Sequence, residues 1–184
     1  VGTLFGLVAM ALVVAVAARR RFLDDVLGKA YGPIHVLLGE NVAARARLAK
    51  MEEKLMATYA SESAPFTTEQ KKAAAEAFLT VERQIMEEVV YANRERMKNV
   101  IAEWGHLLDD DDYLALAEEL AGAVVVRVLH DADLPPELRE PPPANYEAEL
   151  LEQFKMKYLG RSGERRAGFL GSLAGGLKHM FAAR

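Results

Sequence analysis

The residues of this chain best suited to chemistry lie in one stretch, IAEWGHLLDDDDY, from Ile101 to Tyr113. Glu103 and His106 stand three apart, the Glu-x-x-His spacing by which helical bundles hold paired iron or manganese, and Asp109 follows three residues later. A paired centre needs the motif twice. The other histidines, His35, His130 and His179, have Gly32, Arg127 and Gly176 three residues before them, so none supplies the second copy. A single zinc on Glu103, His106 and Asp109 would be rich in carboxylate with only one imidazole, a poor set for that metal. The run Asp109 to Asp112 also lacks the alternating oxygens around a glycine that a calcium loop uses. Aspartate caps helix starts and is favoured in the first turn by the helix dipole. The run is therefore expected to open a helix after a junction at Gly105, with His106 packed or hydrogen-bonded there.

A metal-dependent enzyme using Glu103 and His106 is the second alternative for function, and no cofactor is expected. The chain has no glycine-rich phosphate loop and no nucleophile elbow. It has no cysteine, which removes disulfides, thiolate catalysis and cysteine-ligated zinc together. The polar group Asn93, Arg94 and Arg96, in mid-helix near Tyr91, reads as the solvated face of a helix, with the lining of an interhelical contact as the alternative.

The elements that would position these residues form an all-α chain: an N-terminal transmembrane helix followed by an antiparallel helical bundle with one long spine helix. Residues Val1 to Ala18, VGTLFGLVAMALVVAVAA, carry no charge and reach about 27 Å as a helix, close to the thickness of a bilayer's hydrocarbon. Arg19, Arg20 and Arg21 follow at once. Basic residues beside a span favour the cytoplasmic side, so the expectation is a single-pass protein of the cell inner membrane with its body cytoplasmic. A secretory signal peptide would carry its positive charge ahead of the apolar run, although Ala15-Val16-Ala17 imitates a cleavage site. A buried core helix would need some polar interruption. Gly2 and Gly6 have the small-residue spacing that lets two spans approach, which makes a homo-oligomer one of the expected assemblies.

After a stem ending near residue 30, Tyr31-Gly32-Pro33 predicts a break and a restart at Pro33. The next helix runs to about Tyr59 with Ile34, Leu37, Leu38, Val42, Leu48, Met51, Leu55 and Tyr59 on one face. Thr67, with Gln70 three residues on, signals a capping box for the spine, whose stripe includes Phe78, Val81, Ile85, Val89, Ala92, Val100 and Trp104. The helix after the aspartates is expected to turn Leu114, Ala117, Leu120, Ala121, Val124, Val128 and Leu129 inward. A proline-rich linker over 134–143 precedes a shorter helix from about Asn145 to Leu159, striped by Tyr146, Leu150, Phe154 and Tyr158. Domains are thus 1–30 for span and stem, 31–160 for the bundle and 161–184 for a basic amphipathic tail. In that tail Phe169, Leu173, Leu177 and Phe181 share one helical face while Arg165 and Arg166 add positive charge, the pattern of a helix lying in a membrane interface. Its glycines weaken such a helix.

The net charge of −4 is uneven: residues 1–30 carry +2 and residues 161–184 carry +4, so the middle holds −4 − 2 − 4 = −10. An acidic body with basic ends excludes a duplex nucleic-acid binder and points to the lipid bilayer as partner.

The segments YGPIHVLL and VERQIMEEVVYANRERMKNVIAEWGHLL resemble a loose group of uncharacterised bacterial proteins with one N-terminal span and a helical body. The likeness covers Tyr31 to Leu120 and rests on Tyr31, Pro33, Leu37 and Leu38, then Asn93, Arg96, Met97, His106 and Leu107. The chain departs from that group in having neither tryptophan nor proline between Val81 and Asn93. The resemblance implies no activity, only a membrane-tethered helical body. The functional expectation is accordingly a tethered interaction or scaffold protein, the first alternative being a membrane-active or lipid-sensing protein that acts through its basic tail.

Overall fold

The computed structural model describes residues 2–59, 66–131 and 146–163, with side chains from residue 10 onward and, in the helix 110–131, up to residue 122. All elements among them are helical: α1 (Gly2–Asp25), α2 (Gly32–Tyr59), α3 (Thr68–Ile85), α4 (Ala92–Trp104), α5 (Asp110–Asp131) and α6 (146–163).

The expected break at Tyr31-Gly32-Pro33 does not occur. Between α1 and α2 the chain stays helical through a π-helical segment, Val26–Tyr31, whose wider turn closes with Gly32 N–H on the Leu27 carbonyl. A proline clashes with the carbonyl four residues back and has no N–H to give. Widening the turn just ahead of Pro33 leaves it in the first turn of α2, where a missing N–H is tolerated. Gly32 is required by the close approach: a Cβ there would sit 2.6 Å from the Leu27 oxygen. Gly32→Ala is expected to lower stability by about 1–3 kcal/mol through overpacking, a drop of several degrees in a thermal melt. A raised melting temperature, as the ordinary helix preference for alanine would give, contradicts this account of the turn.

The spine forms as read. Thr67 Oγ1 accepts from Gln70 N–H at 3.2 Å and Gln70 Oε1 accepts from Thr67 N–H at 2.9 Å, a complete capping box. From there the chain is helical to Trp104 through a second π segment, Met86–Tyr91, so α3 and α4 are two parts of one helix. The extra residue in that turn shifts the inward face by one position: Met86 and Val90 are buried, while Ile85 and Val89 are half-buried. A short 3-10 turn, Gly105–Leu107, reverses the chain. Gly105 is buried there, and a Cβ would lie 3.0 Å from the Tyr113 ring.

Cross-contacts fix the directions. Lys29 lies over the Trp104 ring and Asn41 meets Asn93, so α4 runs antiparallel to α2. Tyr31 meets Asp112 and Arg94 meets Glu119, so α5 runs back alongside α2. Arg45 meets Glu147, Leu151 lies against Gly39 and Tyr158 stacks on His35, so α6 descends antiparallel to α2. The result is an up-down-up-down arrangement of α2, α3–α4, α5 and α6. Its main core joins Val26, Tyr31, Ile34 and Leu38 to Met97, Leu116, Leu120, Leu150 and Phe154. A smaller cluster of Ala44, Leu48, Met86, Val90 and Tyr91 closes the upper part of the α2–α4 contact.

Above that cluster the two long helices run on as an arm. No residue of α3 is buried, and Met51, Met56 and Leu79 are exposed, so the inward stripe read for this part of the chain thins out. The stripe of α5 also differs from the reading. Leu120 is buried as read, but Leu114 and Ala121 face solvent, and Asp112, Leu116 and Glu119 face inward.

Below the bundle, α1 extends without cover. From Met10 to Phe22 every residue is exposed, and burial begins only at Leu23. Among the described residues no helix is long and apolar enough to cross a membrane.

Candidate functional site

Two polar clusters sit between the helices, and both draw on residues that the sequence pattern assigned elsewhere. The lower one gathers around Tyr31, placed at the end of the first π segment with its ring fully buried against Phe154, centroids 5.5 Å apart. Its hydroxyl donates to Asp112 Oδ2 at 2.6 Å and accepts from Asp109 N–H at 3.1 Å. Burial, and then the hydrogen bond to Asp112, push the phenol well above its ordinary range, so it stays a neutral donor. Gln153 Nε2 donates to the other Asp112 oxygen at 2.5 Å. Asp109 accepts from Lys157 at 2.8 Å and from Arg161 at 2.6 Å, while the Arg161 guanidinium lies 5.0 Å over the Tyr31 ring. The aspartates therefore do more than open a helix. Asp109 and Asp112 tie the start of α5 to α6, whereas Asp110 and Asp111 stay exposed in the first turn.

The Lys157 hydrogen bond, reinforced by Arg161, holds the Asp109 carboxyl below its ordinary value, and the same bond raises the Lys157 ammonium. A depressed carboxyl contributes stability that is present above its unfolded pKa, near 4, and is lost as pH falls through the folded value. A raised ammonium contributes below its unfolded pKa, near 10.4, and loses that contribution as pH rises through its folded value. The tie thus holds across the neutral range. Both side chains are 42% exposed, so solvent screening limits the pair to about 0–1 kcal/mol. The stability gap between wild type and Asp109→Asn is expected to shrink as thermal melts are taken from pH 6 down to pH 3. A gap independent of pH would contradict this role.

The upper cluster sits on the same helix pair, two turns higher. Asn93 and Arg94 follow the second π segment and are buried between helices, the alternative to the solvated face first read for them. Arg94 NH2 donates to Glu119 at 2.6 Å and to Glu147 at 2.9 Å, joining α4, α5 and α6 through one nitrogen. Arg45 Nε stands 2.7 Å from the second Glu147 oxygen, close enough for an ion pair but off the line of a hydrogen bond. Asn93 Nδ2 donates to Glu40 at 2.9 Å and to Asn41 at 3.1 Å. Burial pushes the Glu119 carboxyl up, against the pull of Arg94. Arg94 Nε and NH1 and the Asn41 amide nitrogen are buried without a hydrogen-bond partner. The cluster is a set of interhelical braces in which Arg45 and Arg94 face Glu119 and Glu147.

The sequence-predicted site residues are dispersed. Glu103 and His106 are exposed, His106 in the reversal turn with its ring 6.2 Å from Trp104, and Asp109 is engaged with Lys157 and Arg161. Among the described residues no group of three His, Asp or Glu side chains is placed to hold a metal ion. Arg19, Arg20 and Arg21 sit on the exposed part of α1. Arg165, Arg166, Phe169, Leu173, Leu177 and Phe181 lie outside the described residues, as does the linker 134–143. No family model, no curated protein and no solved structure matches this chain.

Among the described residues, the longest run of exposed apolar side chains is in α1. Leu12 is 67%, Val13 66% and Val14 58% exposed, with Met10 and Val16 also open. At 100° per residue these five positions, with the exposed Ala11 and Ala15 between them, point to all sides of the helix, so the packing of one more helix along one side would not hide them.

Proposed function

We propose that the chain is a membrane-tethered scaffold: α1 lies in a bilayer, Arg19 to Arg21 rest at its cytoplasmic face, and the four-helix body presents surfaces to protein partners. The carrying observation is the all-round apolar exposure of residues 10–16, since a helix of that kind is stable only inside a large core or in lipid. The absence of charge from Val1 to Ala18 and the arginines directly after it give the same direction. Tethering acts by mass action, because confinement to a surface raises the effective concentration of the body for partners and for other copies. The braced interior serves this role by keeping the four helices in fixed relation; the exposed arm beyond the bundle offers Met51, Met56 and Leu79 for contacts.

Extraction of membranes with alkaline carbonate tests the reading. The full chain is expected to stay with the lipid pellet, and Val13→Arg, which places a charge costing about 2.5–3.5 kcal/mol toward the middle of a span, is expected to shift part of it to the supernatant. Release of the wild-type chain would overturn the proposal.

A further inference from the structure

Two π segments interrupt the long helices, and only the first has a local cause. Gly32 and Pro33 follow Val26–Tyr31 directly, whereas Met86–Tyr91, MEEVVY, holds neither glycine nor proline and runs on into Ala92. A π turn is a rare form of helix, frequent at functional sites, and this one is held by the packing on either side of it. Below the turn the rotation of α4 is fixed: Asn93 is bonded to Glu40 and Asn41, Arg94 to Glu119 and Glu147, and Met97 is fully buried. Above it nothing comparable holds α3, none of whose residues is buried. Leu79 precedes Met97 by 97 − 79 = 18 residues, five whole turns at 3.6 residues each, so an uninterrupted α-helix would set Leu79 in line with Met97, facing α2. With the extra residue of the π turn that place falls to Phe78, which is half-buried, while Leu79 stands 53% exposed. The two candidate faces of α3 are near copies of one another. Lys71, Ala74, Phe78 and Ile85 form its half-buried side, and Lys72, Ala75, Leu79 and Met86, each one residue later, would take their place without the π turn. Each set has a lysine, an alanine and two large apolar side chains, and Glu82 flanks both.

We propose that Met86–Tyr91 is a register joint for the arm. Annealing of the π turn to α rotates α3 by about 100° and advances it by about 1.5 Å, which takes in Ala75 and Leu79 and turns Ala74 and Phe78 outward, while α4 and both polar clusters stay in place. The Thr67–Gln70 capping box is local to the start of α3 and turns with it. The arm thereby shows one of two faces, and a protein that grips one of them shifts the balance by its preference for that face. Use of the joint by a partner rests on the scaffold reading; the joint itself depends on helix register alone and not on where α1 lies.

The absence of native cysteine allows the test on the full chain in detergent. Maleimide labelling rates are compared for Ala74→Cys and Ala75→Cys, substitutions small enough to leave both faces intact. In the otherwise native chain, position 75 is expected to label several-fold faster than position 74, which is half-buried. Adding Phe78→Ala removes the large side chain of the present face and leaves Leu79 for the other, and the order of the two rates is expected to reverse. Deletion of Glu88, an exposed residue of the π turn, makes the present face the one that a plain α-helix shows, so Phe78→Ala combined with that deletion is expected to restore the original order. An order unchanged by Phe78→Ala, or a rise at both positions together as fraying of the arm would give, overturns the joint. A reversal that persists after deletion of Glu88 overturns its assignment to the π turn. These outcomes are read without a bilayer, so failure of the joint leaves the tether of α1 standing, and release of α1 from membranes leaves the joint standing.

Discussion

Replacing Arg94 by methionine is expected to destabilise the bundle by about 3–5 kcal/mol, the loss that follows when one partner of a buried ion pair is removed. The reason is local. Arg94 is 7% exposed and its NH2 nitrogen is shared by Glu119 and Glu147, which come from different helices. Without the guanidinium, two carboxylates remain facing one another in a site that already pushes Glu119 upward, and Arg45 is left to compensate both from one side. The loss should be largest at neutral pH and diminish on acidification, because protonating Glu119 relieves the repulsion. The converse substitution is equally informative. Arg94→Met combined with Glu119→Leu and Glu147→Leu is expected to recover most of the stability, since a buried ionic group can be exchanged for packed apolar side chains with little net change. Denaturant midpoints of the single and triple variants decide it. If Arg94→Met alone is neutral, the braces carry no strain and the account of the upper cluster fails.

Phe154→Ala is expected to cost a similar amount, about 3–5 kcal/mol. Phe154 is fully buried at the centre of the main core, with its ring tilted against Tyr31 and with Leu150 one turn away on the same face of α6. Emptying that position removes apolar contact and leaves a cavity beside a buried phenol whose partner, Asp112, has no exposure of its own. Because α6 is the last described helix of the bundle, the first consequence should be its release, which protease cleavage near residues 146–163 would report ahead of the global transition. A loss under about 1 kcal/mol would mean that α6 is not part of the cooperative core.

Much of this was legible in the sequence where apolar spacing and local hydrogen bonds act alone. The Thr67–Gln70 capping box, the helix running to Trp104 and the inward positions Leu150 and Phe154 of α6 all follow from such short-range rules. The misplaced polar residues share one physical origin, the burial of groups that answer one another across helices. A stripe drawn through apolar residues places Asp112 and Glu119 outward, so it turned α5 toward Leu114 and Ala121; yet Asp112 is held inside by Tyr31 and Gln153, and Glu119 by Arg94. Asn93 and Arg94 looked solvated for the same reason, because their partners Glu40, Asn41 and Glu147 lie more than fifty residues away. The π segments escaped because each adds one residue to a turn without changing composition. The Tyr-Gly-Pro signal marked the first of them correctly in place but not in kind.

The central claim, that α1 lives in lipid with the body on the cytoplasmic side, is tested most directly by a membrane-impermeant maleimide acting on single-cysteine variants of the full chain in sealed inner-membrane vesicles. Val13→Cys is expected to resist the reagent from both faces, and Val36→Cys, on an exposed position of α2, to react only when the cytoplasmic face is outward. Labelling of Val13→Cys in intact, sealed vesicles of either orientation would contradict the account.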